Sequence, residues 1–90
     1  MFRVWGKMIK ENRLVKDHVV CIDDVSMRRT QKVYAALDEL CQEFNLSRPI
    51  WLEMNQKEFL NFAKTRFTAD SFMEEIEFDY LEFQVIEEDW

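Results

Sequence analysis

Side chains able to do chemistry are few in this chain. One histidine, His18, and two cysteines, Cys21 and Cys41, are the only soft or nucleophilic candidates. A thiol nucleophile needs a base within hydrogen-bond reach. His18 and Cys21 are three residues apart, and on a strand that spacing sends the two side chains to opposite faces. Cys41 reaches His18 only through the tertiary fold. A structural zinc site uses four Cys or His ligands; three are present, in no zinc spacing. The Asp23–Asp24 pair lacks the glycine and the alternating oxygen ligands of a calcium loop. Gly6 is the single glycine, which excludes a glycine-rich phosphate loop. Eighteen carboxylates make some close pairs by chance, and none is singled out. The sequence therefore predicts no catalytic centre, no metal and no cofactor.

One charged stretch suggests binding. Met27, Arg28, Arg29, Thr30, Gln31 and Lys32 open the most regular helical pattern in the chain. Cations are unfavourable where a helix N-terminus already carries partial positive charge. Arg28, Arg29 and Lys32, together with free backbone amides, would bind an anion or a nucleotide. The competing reading is that Asp23, Asp24 or the acidic C-terminal end neutralises them.

A second candidate surface comes from alternation. Residues 2–9 read FRVWGKMI, with Phe2, Val4 and Met8 on one face and Arg3 and Lys7 on the other. Trp5 and Ile9 interrupt that polar face. A purely solvated face does not need them, so they mark an interface, with a protein partner or a second copy. Trp51 and Trp90 add to the aromatic excess, and Trp51 is read as completing the core.

These residues must be positioned by one small domain. Ninety residues leave no room for two cores, and a chain this short buries roughly 60% of its unfolded surface. Eight Phe, three Trp and two Tyr supply the bulk that a disordered chain lacks. The apolar runs are short, VVCI at four residues and VYAAL at five, far too short for a membrane span. The basic start lacks the apolar stretch of a signal peptide. The expected location is the cytoplasm, with both cysteines as buried thiols.

The elements follow from period and punctuation. Strand 1 covers residues 2–9, KENR is a turn, and LVKDHVVCID is a second strand forming a hairpin with the first. Gly6 in mid-strand signals a bulge or a large side chain packed over it. Val33, Ala36, Leu37, Leu40, Cys41 and Phe44 recur at helical spacing. Ser26 is the expected N-cap. Asn45 is the left-handed residue past the helix end, with Leu46 as its hydrophobic contact. PIWL is short and extended. In MNQKEF, Asn55 is read as an N-cap with Glu58 reaching back and Met54 stapled to Phe59. A second helix runs from about Gln56 to Lys64, with Phe59, Leu60 and Ala63 inward. In EEIEFDYLEFQVIEEDW, Ile76, Phe78 and Tyr80 share one parity and Leu81, Phe83 and Val85 the other. That phase shift reads as a bulge at Tyr80 or Leu81, in what should be the longest strand.

Charge agrees with this pairing. The first 48 residues carry 9 basic and 7 acidic side chains, and the remaining 42 carry 3 and 11. Glu75, Glu77 and Asp79 should face Arg3 and Lys7 across antiparallel strands, with Glu87, Glu88 and Asp89 as a frayed acidic end. The net charge of −6 disfavours nucleic-acid backbone binding. DNA mimicry is also disfavoured, because the acids alternate with core residues.

The segments KENRLVKD, FNLSRPIWLEMNQKEF, KTRF and EEIEFDYLEFQVIEED resemble a family of short, uncharacterised bacterial proteins. That resemblance implies a bacterial, cytoplasmic, stand-alone protein and carries no activity, cofactor or site.

The expectation is thus an α+β fold: an antiparallel sheet of three or four strands with two helices on one face, ordered β-β-α-(β)-α-β. The expected function is a non-catalytic interaction module that pairs with itself or another protein, since sheet edges pair unless blocked. The alternative is anion or nucleotide binding at Arg28, Arg29 and Lys32.

Overall fold

The computed structural model describes residues 1–88; Asp89 and Trp90, and the readings placed on them, lie outside it. The fold is α+β, as expected. Strands β1 (Phe2–Lys10) and β2 (Arg13–Ile22) are followed by helices α1 (Arg29–Glu43) and α2 (Glu53–Phe62). Then come β3 (Lys64–Phe67), a 3₁₀ turn at Ala69–Ser71, and β4 (Tyr80–Glu87). The sheet is antiparallel, in the order β2-β1-β4-β3. Both helices pack on one face, where Val4, Leu37, Leu40, Phe59, Phe67 and Phe83 share a single core.

Strands β1 and β2 meet in a two-residue turn, Glu11–Asn12, with both residues left-handed (φ 53° and 62°). This turn matches the twist of the flanking strands. Asparagine adopts the conformation readily and glutamate does not, but the Glu11 N–H donates to Asp79 Oδ2 at 2.8 Å. Leu40 of α1 packs directly over Gly6. A Cβ there would lie 2.6 Å from Leu40 Cδ2, so the glycine admits a large side chain, one of the two roles expected for it.

Helix α1 follows its sequence pattern and buries Val33, Ala36, Leu37, Leu40 and Cys41. It ends in a complete Schellman motif. Asn45 is left-handed (φ 56°), Leu46 N–H donates to Cys41 O at 2.8 Å and Asn45 N–H to Gln42 O at 3.2 Å. Its start differs from expectation. Arg28 is the N-cap residue, and Gln31 Oε1 accepts the Arg28 N–H at 2.8 Å. Ser26 is occupied upstream, donating both its N–H and its Oγ to Asp24 Oδ1.

Three other local readings are corrected. Helix α2 begins at Glu53, with Leu52 as N-cap residue and Asn55 inside the first turn. Asn55 Oδ1 still accepts the Leu52 N–H at 3.1 Å, but the remaining hydrogen bonds of Asn55 are tertiary, and these moved the start. Leu60 is 85% exposed rather than inward, because α2 turns the side carrying Asn55 and Phe59 to the core; Ala63 is left-handed (φ 53°) and turns the chain into β3. PIWL forms no strand; its Ile50 N–H donates to Ser71 O at 2.7 Å. The fourth strand is KTRF, which pairs with β4.

The last segment is a strand only from Tyr80. At eight residues β4 is shorter than β1 and β2. The parity change at Tyr80–Leu81 is not a bulge. Ile76 and Phe78 precede the strand and reach the core from a loop, with the Phe78 ring edge-on to Phe72 at 5.9 Å. The register shifts lie elsewhere. Val15 is the extra residue between the Met8–Lys16 and Ile9–Leu14 pairs. Ile86 is the extra residue between Arg3–Glu87 and Val4–Val85.

Candidate functional site

Register determines what the helix-free face of the sheet carries, because cross-strand partners share a face. Four rows cross it. Leu14, Ile9 and Tyr80 form the first. Asp17, Lys7, Glu82 and Arg66 form the second, one from each strand. Val19, Trp5, Gln84 and Lys64 form the third. Cys21, Arg3 and Glu87 form the fourth. The face is therefore apolar at one end and charged through its centre, with Trp5 and Val19 beyond.

The second row alternates in sign across the whole sheet: acid, base, acid, base. Lys7 Nζ lies 2.7 Å from Glu82 Oε2, with the two side chains only 16% and 10% exposed. Arg66 Nε approaches Glu82 Oε1 at 3.5 Å. The aromatics are fixed by the same groups. Lys7 Nζ sits 4.0 Å from the Trp5 ring centroid, and the Trp5 Nε1–H donates to Asp17 Oδ2 at 3.0 Å. The Arg66 guanidinium lies 4.7 Å from the Tyr80 ring centre. Trp5 and Ile9, the two interface residues read from sequence, stand in the third and first rows, on either side of the charged row, and are partly buried.

The expected meeting of the last strand's acids with Arg3 and Lys7 does occur, but through different acids. Glu87 pairs with Arg3 at 3.2 Å and Glu82 with Lys7. Glu75, Glu77 and Asp79 precede the strand, and Glu87 and Glu88 are not frayed. Burial alone would raise the Glu82 pKa. The hydrogen bond and charge of Lys7, the charge of Lys64 and the hydrogen bond from Arg66 outweigh it, and the pKa falls below the usual glutamate value. A carboxylate with a depressed folded-state pKa stabilises the fold above its unfolded pKa, and this contribution is lost as pH falls through the lowered value. Glu82→Gln should therefore flatten the acid limb of stability below about pH 4, measured by urea midpoints across that range.

The basic stretch does not converge on one point. Arg29 Nε lies 2.6 Å from Glu88 Oε1, with its guanidinium 5.3 Å from the Phe59 ring centre. Lys32 is buried, 6.0 Å from the Phe2 ring centre. Arg28 is exposed. A cleft of about 310 Å³ adjoins Arg29, bounded by Thr30, Tyr34, Trp51, Gln56 and Phe59. Trp51 packs edge-on against Phe59, Phe67 and Phe83 at 5.0–6.1 Å. Its Nε1 is the one buried side-chain polar atom without a hydrogen-bond partner among the described residues.

His18 faces the helices, with Nε2 3.6 Å from Glu39 Oε2, whereas Cys21 lies on the open face. Their expected separation holds. Cys21 is exposed and not a buried thiol, because β2 is an edge strand and no helix covers its outer side. Cys41 is buried, and burial with the nearby Asp38 charge pushes its pKa up to about 11. A thiol reagent at neutral pH should titrate Cys21 alone in the native protein and both cysteines in denaturant. Equal native rates would contradict this placement. Among the described residues, no three of His, Cys, Asp and Glu gather closely enough to hold a metal ion, and no helix is long and apolar enough to cross a membrane.

The sequence singled out Trp5 and Ile9 but gave no sign that Glu82, Arg66 and Tyr80 share their face. Alternation in KTRF was the available signal for Arg66, obscured by extending α2 to Lys64. Comparison with known proteins finds no family model, no curated protein and no solved structure that matches the chain.

Proposed function

We propose that the protein is a non-catalytic interaction module whose docking surface is the helix-free face of the sheet. The observation that carries this reading is the placement of Trp5 and Ile9 on that face, beside Leu14, Val19 and Tyr80. Sheets with one uncovered face normally present it as polar. Here five large apolar or aromatic side chains are interleaved with charges that already have partners. Trp5 and Ile9 are already partly buried, so each would gain at most about a third of the roughly 1.5–3 kcal/mol of a full burial.

The face is favoured over the edges. Strand β2 is an open edge, but Lys16, Asp17 and His18 occupy its centre. A two-fold β2–β2 pairing centred on Asp17 would oppose that carboxylate to its own copy, which is destabilising. Strand β3 is four residues long, too short to hold a partner strand well. The compartment we propose, the bacterial cytoplasm, rests on the resemblance of short segments alone.

Amide chemical shifts recorded over a dilution series test the docking face. The expected result is concentration-dependent shifts along β1 and β4, with α1 and α2 unchanged. Shifts confined to the helices would contradict it.

The second reading, anion or nucleotide binding at Arg28, Arg29 and Lys32, is supported by the cleft beside Arg29 and weakened by Glu88 and by the burial of Lys32. It predicts heat-shift stabilisation by sulfate or nucleotides that disappears in Arg28→Ala/Arg29→Ala. A flat response across the panel contradicts it.

A further inference from the structure

We infer that the occupant of the open face is a second copy of this chain, related by a two-fold axis that runs parallel to the strands between β1 and β4. This inference rests on the docking-face reading and adds the partner and its orientation. The sign pattern of the central row sets this orientation. Asp17, Lys7, Glu82 and Arg66 read −, +, −, + from β2 to β3. Rotation about an axis along the strands reverses the order of strands in the opposing sheet. Asp17 then faces Arg66 of the other copy, and Lys7 faces its Glu82. An alternating row of even length is complementary to its own reverse. Rotation about an axis along the row would instead set every charge against its own kind.

The other rows obey the same operation. Arg3 on β1 faces Glu87 on β4 of the second copy, and Ile9 faces Tyr80. Trp5 faces the amide of Gln84, and Val19 packs on the stem of Lys64. The strands of the two sheets run in the same direction, the aligned arrangement that stacked sheets commonly adopt.

Desolvation does not oppose this arrangement strongly. The cost of burying charge is the usual objection to ions in an interface. Lys7 and Glu82 are already 16% and 10% exposed in the single chain, so most of their desolvation accompanies folding. Asp17 and Arg66 lie at the rim, where charges set register and encounter rate more than affinity. Strand spacing and rise give a face of roughly 500 Å² per copy, below the about 800 Å² per partner of a standard interface. The dimer is therefore expected to be weak and concentration-dependent.

The test inverts the row. In the variant Asp17→Lys/Lys7→Glu/Glu82→Lys/Arg66→Glu the signs still alternate within the chain and still complement their own reverse. Opposed to the unaltered chain, every position meets its own sign. Native mass spectrometry of the variant alone should show dimer within about threefold of the unaltered protein, and in a mixture the mixed dimer should fall about tenfold below the statistical level. Free mixing, or a folded variant that stays monomeric, overturns the orientation. The docking-face reading then survives if the unaltered protein still dimerises and Trp5→Glu prevents it. A strictly monomeric unaltered protein overturns the second copy as occupant, and the docking face is then decided by whether Trp5→Glu abolishes the binding of a different partner protein. Should the variant fail to fold, the unaltered protein supplies the answer through salt. Its association constant should fall on going to about 0.5 M NaCl, and a rise would overturn the charge-facing arrangement.

Discussion

Asn55→Ala is expected to lower the unfolding free energy by about 3–5 kcal/mol. Asn55 is fully buried and ties four segments together. Its Oδ1 accepts from the Leu52 N–H at 3.1 Å and from Ser71 Oγ at 3.3 Å. Its Nδ2 donates to Thr65 Oγ1 at 2.9 Å and to Arg66 O at 2.8 Å. Thr65 passes the network outward by donating to Glu58 Oε1 at 2.8 Å. Truncation leaves a backbone amide, a backbone carbonyl and a serine hydroxyl short of a partner, and each orphaned buried group costs about 1–3 kcal/mol. A domain of this size has roughly 5–13 kcal/mol in total, so the loss is a large share. Urea unfolding followed by circular dichroism measures it. A loss under about 1 kcal/mol would show that Asn55 does not hold α2 to β3. Ser71→Ala, which removes a single bond of the same network, should cost about 1 kcal/mol.

Gly6→Val is the second large effect. The first added carbon alone meets Leu40 Cδ2 at 2.6 Å and Cδ1 at 2.7 Å, and Leu40 is fully buried, so making room means repacking it against its core neighbours. Overpacking of this kind costs about 1–3 kcal/mol for a small addition, and the branched valine should reach or exceed the upper end. Leu40→Ala alone should cost about 2–5 kcal/mol as a cavity. The two changes should partly cancel, because valine enters the space that Leu40 vacates. The double variant is expected to be at least about 1 kcal/mol more stable than the sum of the singles. Strict additivity would show that the helix shifts as a body, without the side-chain collision read here.

How far these features were legible from sequence depends on how local their causes are. Helix α1 was legible because its period and its ending are written in neighbouring residues, from Val33 to the left-handed Asn45. The role of Gly6 was legible because a lone glycine in a strand has few explanations. Strand β3 was missed because KTRF is four residues long and follows Ala63, which turns left-handed without the glycine that would announce it. The start of α2 was misplaced because the hydrogen bonds of Asn55 are mostly to Thr65, Arg66 and Ser71, distant in sequence. At the open face, Trp5 and Ile9 stood out as breaks in alternation. Their row partners did not, because the register depends on the extra residues Val15 and Ile86, which no local signal marks. The alternating row exists only once four strands are aligned.

The proposal that ties these features together is that Trp5 and its neighbours on the helix-free face join two copies of the chain. Light scattering of the purified protein over a wide concentration range, beside Trp5→Glu under the same conditions, tests it most directly. The mass of the unaltered protein should climb from that of one chain toward two, while Trp5→Glu keeps the mass of one chain and an unchanged fold. A single-chain mass at every concentration, indifferent to Trp5→Glu, would contradict it.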